Sequence, residues 1–144
     1  MIPTDAVNRA FWLPWLTLWN GDLDGAPRLI DDRFAVHVAL LDGANARDIR
    51  GPAGLAEWIS DVRAVFPDLR FTTQIGPIAD DTFVVGRWHA TGTYGGGFVG
   101  AQAPVGTRVA FAGVDILRIE DLRIAEQWLH VDVHDMLTQI GVHC

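Results

Sequence analysis

Cysteine is nearly absent from this chain: its 144 residues contain one, Cys144, at the last position. A single thiol excludes an intramolecular disulfide and any cysteine-based metal motif, and it fits a reducing, cytoplasmic setting. Positive charge is also short, with 11 Lys and Arg against 18 Asp and Glu and a formal net charge of -7. That balance argues against nucleic acid, whose binding rests on cations clustered at phosphates, and against anionic membrane surfaces. Long apolar runs are missing, since none approaches the ~18 residues of a membrane span. The greasy stretch Phe11-Trp12-Leu13-Pro14-Trp15-Leu16-Thr17-Leu18-Trp19 follows Asp5 as well as Arg9 and lacks a small-residue cleavage site. It is expected to be part of the fold and not a secretion signal. Repeats, linkers and low-complexity segments are absent too, and the length suits one domain over residues 1–144.

What is present is a large apolar fraction, 49%, with six Trp against one Tyr. Indoles fill cores and also wall pockets for flat or greasy ligands. Thr4 suits the N-cap of a first helix with Val7, Ala10, Phe11, Leu18 and Trp19 on its apolar side. A kink is expected at Pro14 and an end at Asn20-Gly21. A short second helix is expected over Pro27 to Asp32, then a strand over Phe34 to Leu41 with His37 embedded, then a polar loop to Arg50. Gly51-Pro52 opens a third helix with Leu55, Trp58, Ile59, Val62 and Phe66 at helical spacing, stopped by Pro67. Four strands follow: Leu69 to Ile78, Thr82 to Tyr94, Val105 to Ile119 and Leu122 to Asp132. Short turns at Asp80-Asp81 and Glu120-Asp121 predict antiparallel pairing in sequence order. A last short helix carries Met136, Leu137 and Ile140 and is capped by Gly141. The expected class is α+β, a curved antiparallel sheet with helices on one face, closing a cone that holds a pocket.

The last strand carries the densest chemistry. Alternate side chains share a face, so Glu126, Trp128, His130 and Asp132 are expected on one surface and Gln127, Leu129 and Val131 on the other. An aromatic wall beside two carboxyls and an imidazole reads as a ligand pocket. His130, Asp132 and His134 would suit a transition metal. A helix starting after Asp132 turns His134 away from His130, however, and no metal site is expected. Gly95-Gly96-Gly97 lacks the Lys and the following helix of a phosphate loop and reads as a hairpin tip.

Several stretches in order carry a family resemblance: Phe66-Pro67-Asp68-Leu69-Arg70-Phe71, Val84-Val85-Gly86-Arg87-Trp88, Thr91-Gly92-Thr93-Tyr94 and Gly106. Phe111-Ala112-Gly113-Val114-Asp115-Ile116-Leu117-Arg118-Ile119, then Glu126, Trp128, Asp132 and Leu137-Thr138-Gln139-Ile140-Gly141, complete the set. Over residues 66 to 141 the chain resembles the SnoaL-like polyketide cyclases of the NTF2-like superfamily, and its first half agrees in layout and length. The resemblance implies an NTF2-like cone-shaped α+β barrel, a homodimer or homotetramer, holding a hydrophobic or aromatic small molecule without metal or organic cofactor. Cyclases of this kind close a ring by intramolecular aldol condensation. One group removes a proton alpha to a carbonyl and later returns one to the new alkoxide. A carboxyl desolvated by aromatic neighbours suits this, because burial raises its pKa toward working pH.

By resemblance, Asp132 takes the acid/base position with Trp128 beside it; its other reading is the N-cap of the last helix. Tyr94 stands where the family usually has His, and a phenol can donate a hydrogen bond to a developing enolate. The alternative for Tyr94 is rim packing. His130 either polarises the carbonyl or is a buried imidazole satisfied by a carboxyl such as Glu126. Asp115 is a pocket polar group or a satisfied structural acid, and Arg118 is expected to hold a carboxylate. Trp88 shares parity with Tyr94 and would wall the same cavity. Trp15 and Trp19 either close the cone or fill the core. Three functions compete: a cyclase or isomerase, a non-catalytic binder of a hydrophobic small molecule, and a hydrolase or hydratase of the same fold.

Overall fold

The computed structural model describes residues 4–38 and 46–142. The expected strand end at Leu41, the first half of the loop after it, and Cys144 lie outside these residues. The first expected helix is two, α1 (Thr4–Arg9) and α2 (Trp12–Trp19). The break falls at Ala10-Phe11 and not at Pro14. Pro14 lies in the first turn of α2, where a backbone N–H has no intrahelical acceptor to lose, so proline starts this helix without bending it. Thr4 lies within α1, not before it.

The second helix is also shorter than expected. α3 (Ala26–Leu29) runs straight into β1 (Ile30–His37), because fully buried Ile30 already takes extended backbone angles. After a 3-10 turn at Ala46–Asp48, α4 (Gly51–Val65) buries Leu55 and Ile59 at helical spacing and stops before Pro67. β2 (Arg70–Asp80), β3 (Phe83–Thr93), β4 (Arg108–Glu120) and β5 (Arg123–Val131) follow, then α5 (Val133–Gln139). The β4–β5 turn places Asp121 and Leu122 at φ of 50° and 60°, the left-handed pair that matches the twist of a tight hairpin.

The sheet order is β1-β5-β4-β3-β2. The last four strands pair antiparallel in sequence order as expected, whereas β1 adds to β5 in parallel. The sheet is therefore mixed, curved and open, with the helices set against it. β3 and β4 pair without a register break from Phe83↔Arg118 to Thr93↔Arg108. Alternation is thus preserved along β4, and Val109, Phe111, Gly113, Asp115, Leu117 and Ile119 all turn inward. Trp12, Trp15, Leu16 and Leu18 of α2 and Leu55 and Ile59 of α4 share the core with that face. Gly86 permits the closest approach, since a Cβ there would lie 2.3 Å from Cζ2 of Trp12. Asp68 ties the end of α4 to β3, its Oδ1 accepting from Thr93 N at 2.7 Å and Thr93 Oγ1 at 3.0 Å. Among the described residues no helix is long and apolar enough to cross a membrane.

Candidate active site

Between α4, the inner face of the sheet and α5 lies a cavity of about 890 Å³. Six aromatic rings line it in an unbroken series of contacts. Trp58 meets Trp19 edge-on at 4.9 Å, Trp19 meets Phe71 at 5.7 Å and Phe71 meets Trp88 at 4.9 Å. Trp88 then meets Phe111 at 6.0 Å, and Phe111 meets Phe66 at 6.0 Å. Tilted and edge-to-face geometries let each ring's edge meet its neighbour's face, which stiffens the wall and leaves broad apolar surface for a flat ligand. Leu129, Val131 and Met136 complete the lining, and exposed His37, Asp48 and His130 stand at the mouth.

One carboxylate sits deep in this wall. Asp115, on β4, is 3% exposed. Trp15 Nε1 donates to its Oδ2 at 3.0 Å and Gln127 Nε2 to its Oδ1 at 2.9 Å. Burial penalises the charged form and pushes the pKa up to about 6, against the opposing pull of hydrogen bonds from Trp15, Gln127 and, least, Trp88. A carboxyl so placed is ionised near neutrality yet basic enough to accept a proton. Trp15, Gln127 and Trp88 all act as donors toward it, so none of these, as oriented, takes a proton from Asp115.

The residues singled out from sequence are not all brought together. Trp19, Trp88, Asp115, Trp128 and His130 border the cavity. Trp15 fills the core behind it, fully buried against Trp19 and Phe34, and also donates to Asp115. Glu126, Trp128 and His130 do share a face, the one opposite buried Gln127 and Leu129, although Trp128 and His130 still border the cavity. Period-two alternation separates the two faces without saying which one the helices cover. Outside, Glu126 Oε1 accepts from Arg118 Nε at 2.9 Å and its Oε2 meets His37 Nε2 at 2.5 Å. Arg118 also reaches Glu120 at 2.8 Å, the carboxylate-holding role expected of it. Burial pushes Glu126 up, but its bonds to His37 and Arg118 outweigh this and hold it below the usual carboxyl value. Trp128 stacks on His37 at 5.1 Å.

Two expected catalytic groups lie apart from the cavity lining. Asp132 is exposed at the N-terminus of α5, and its Oδ1 accepts from Asp135 N at 3.4 Å. Tyr94 is buried behind the wall, tilted against Phe66 at 6.3 Å. Its hydroxyl accepts from Phe98 N at 3.0 Å, which ties down the loop that delivers Phe98 to the lining. Among the described residues, His130, Asp132 and His134 form no metal-binding group with one another or with other His, Cys, Asp or Glu. Gln127, Trp58, Phe71, Phe98 and Phe111 were not singled out. The available signal for Gln127 was its lone polarity in the Gln127-Leu129-Val131 register.

The Asp132 cap makes a test. Asp132→Ala is expected to destabilise the protein by about 1 kcal/mol, the usual cost of losing an N-cap. Ligand affinity should stay within a few fold, as read by thermal melting and by titration of Trp fluorescence.

Residues 11–140 match the family profile of the SnoaL-like polyketide cyclases. IdmH from Streptomyces antibioticus, a proposed polyketide cyclase, is 27% identical with a TM-score of 0.79, covering 94% of this chain and 99% of that one. A proposed polyketide cyclase from Acidithiobacillus ferrooxidans is 21% identical with a TM-score of 0.80, covering 96% and 97%. AclR from Streptomyces galilaeus, a proposed hydroxylase, is 24% identical with a TM-score of 0.78, covering 98% and 89%. No curated protein sequence matches the chain. The chain belongs to the SnoaL-like polyketide cyclase family, and its fold is the NTF2-like cone.

Proposed function

We propose that this protein is a cofactor-independent cyclase or isomerase in which Asp115, not Asp132, moves the proton. The observation that carries this reading is a buried carboxylate, with its pKa raised to about 6, on the wall of a large aromatic cavity. Asp115 removes a proton from the carbon alpha to a ketone, leaving an enolate. That carbon attacks a second carbonyl of the same molecule, one carbon–carbon bond forms, and the new alkoxide takes the proton back from Asp115. The product is an isomer of the substrate, and neither electrons nor atoms are left over. An enamine route has no lysine to run through, because all 11 basic residues of the chain are arginine. General acid/base catalysis contributes typically about 10²–10⁴-fold, and an aromatic cavity that aligns the two carbonyls adds to it by proximity.

The lining also restricts the ligand's charge. Asp48, Glu57, Asp61 and Asp115 border the cavity, and among the described lining residues there is no arginine. A neutral ketone or ester is therefore favoured over a free acid. Adding a carboxylate to a ketone ligand is expected to weaken binding at least about tenfold at low salt, and less at high salt as the charges are screened. Equal affinities for a ketone and its carboxylated analogue would overturn this.

The reaction itself is tested by deuterium exchange. Tetralone bearing a hydroxyl on its aromatic ring has exchangeable protons alpha to its ketone and is of a size to enter the cavity. The protein should speed wash-in of solvent deuterium at that carbon. Because the ionised carboxylate is the base, the rate should rise with pH below about 6 and level off above it. No acceleration over buffer at any pH would sink the proposal in favour of plain ligand binding.

A further inference from the structure

Asn20 and Gln139 show how this chain fixes a side-chain amide. Asn20 Nδ2 donates to Phe71 O at 3.1 Å while its Oδ1 accepts from Phe71 N at 2.6 Å. Gln139 grips Ala110 in the same way, Nε2 donating to the carbonyl at 2.7 Å and Oε1 accepting from the N–H at 2.8 Å. Turning either amide over would break two bonds and set donor against donor. Gln127 is held differently. It stands opposite Leu117 on β4, and Leu129 stands opposite Asp115, so Gln127 and Asp115 are diagonal neighbours. A long side chain spans that diagonal, and Gln127 Nε2 donates to Asp115 Oδ1 at 2.9 Å. The other end of the amide is unpaired. Oε1 has no hydrogen-bond partner among the described residues and lies in a place closed to a water-sized molecule. A buried carbonyl in that state calls for an explanation.

Asp115 alone therefore decides which way this amide faces. While the carboxyl is ionised it can only accept, and Nε2 must face it. Once a proton occupies the lone pair that Nε2 used, two donors face each other. Half a turn about the last side-chain bond exchanges Nε2 and Oε1 in almost the same space, and the new O–H then donates to Oε1. Among the described residues the amide has no other hydrogen bond for that turn to break. Trp15, the donor to Oδ2 at 3.0 Å, has no such freedom, because an indole N–H only donates.

We infer that Gln127 is a positioning residue that turns with the proton, donating to ionised Asp115 and accepting from it once it is protonated. This rests on the proposed proton transfer at Asp115 and deepens it, since the proton taken from the substrate is held on an acceptor until the alkoxide forms. The turn moves no proton between residues. One N–H···O bond breaks and one O–H···O bond forms, and both changes reverse when the proton leaves. Charged groups do not compete for this control. α2 carries none, and Arg87 and His89 of β3 and Arg118 of β4 alternate to the face opposite Asp115. Asp48 of the 3-10 turn, Glu57 and Asp61 of α4, His37 of β1 and His130 of β5 border the cavity. None of them shifts the Asp115 carboxyl, which responds to burial and to its donors.

Carbon-13 NMR of the wild-type protein without ligand tests the turn directly. The Gln127 side-chain carbonyl should move downfield as pH falls through the Asp115 midpoint near 6, because it gains a donor there. A carbonyl that stays still or moves upfield while Asp115 titrates overturns the inference without any variant. Two variants give a second reading. Trp15→Phe removes a donor that serves only the ionised form, so the Asp115 midpoint should rise by about one pH unit. Gln127→Leu removes a partner of both forms and should raise it by less than about half as much. Equal rises, the result for two fixed donors at 3.0 Å and 2.9 Å, overturn the inference too. Deuterium wash-in on hydroxytetralone, the ring-hydroxylated tetralone, separates the two layers. Wash-in that follows the Asp115 midpoint, with a Gln127 carbonyl that stays still, removes the turn and keeps the reaction. A carbonyl that titrates with Asp115 in a protein that gives no wash-in keeps the turn and removes the reaction.

Discussion

Asp115→Asn should reduce deuterium wash-in on hydroxytetralone by roughly a hundred- to ten-thousandfold, the span expected for loss of a general base, while probe affinity changes by only a few fold. The amide keeps the size of the carboxyl. Trp15 Nε1 can still donate to its oxygen, and Gln127 can turn Oε1 to accept from its NH₂. The variant therefore retains its packing and loses only the ability to accept a proton. An unchanged exchange rate would transfer the role elsewhere, and exposed Asp132 would be tested next. The same substitution has a second signature, in stability. The folded pKa of Asp115 is raised from 3.8 to about 6, so below pH 4 the group is protonated in both states and costs nothing. As pH climbs from about 4 to 6 the unfolded chain ionises first and folding loses stability relative to low pH. Above about 6 the loss is complete, on the order of 3 kcal/mol at about 1.4 kcal/mol per pKa unit. Asp115→Asn removes this slope. Denaturation curves at pH 4 and pH 8 should show the variant gaining on the wild type as pH rises, and parallel pH profiles would contradict a buried titrating acid.

Asp115, proposed to move the proton, weakens the fold at the pH where that role needs it ionised. Asp132 contributes to α5 as a cap, whereas Asp115 is stabilised by nothing that a neutral residue could not replace. The sequence pattern alone points to Asp132, whereas the cavity geometry supports Asp115, for a definable reason. The alternation Phe111, Gly113, Asp115, Leu117, Ile119 places one charge in an apolar register, the pattern most diagnostic of a buried functional group. Its weight depended on β4 running without a bulge. β4 is unbroken against β3, and its register against β5 shifts only at Arg118/Ile119, beyond Asp115.

On β5 the parity was legible and the face was not, because a strand's own pattern does not say which side carries helices. Glu126, Trp128 and His130 looked like a pocket, yet Arg118, His37 and Phe83 on neighbouring strands satisfy much of that set outside. The four C-terminal strands and α4 were readable because their periodicity is strong and their ends are marked by Pro67, Asp81 and Asp121. The parallel pairing of β1 was not readable, since no local signal distinguishes the edge that a first strand will join. The break between α1 and α2 was obscured by Pro14, whose place in a first turn leaves the helix straight.

Gly113→Ala is expected to cost about 1–3 kcal/mol of stability and at least about tenfold in probe affinity, through one neighbour, Trp88. A Cβ at this position would lie 2.3 Å from Cζ2 and 2.8 Å from Cη2 of that indole. The ring cannot retreat freely, because Phe71 and Phe111 meet it at 4.9 Å and 6.0 Å. Relief must come from the cavity side, so the aromatic wall shifts into the space that the ligand occupies. Both clashing carbons belong to the outer ring of the indole, which phenylalanine lacks. In a Trp88→Phe background the same Gly113→Ala change should therefore cost less than half as much. The carbonyl oxygen of His130, 2.9 Å from the added Cβ, accounts for the part that remains. A double-mutant cycle on unfolding free energy should show coupling of about 1 kcal/mol or more between positions 88 and 113. Additive costs would mean that the strand backbone, and not the indole, sets the need for glycine, and the wall of the cavity would then owe its shape to β4 and β5 alone.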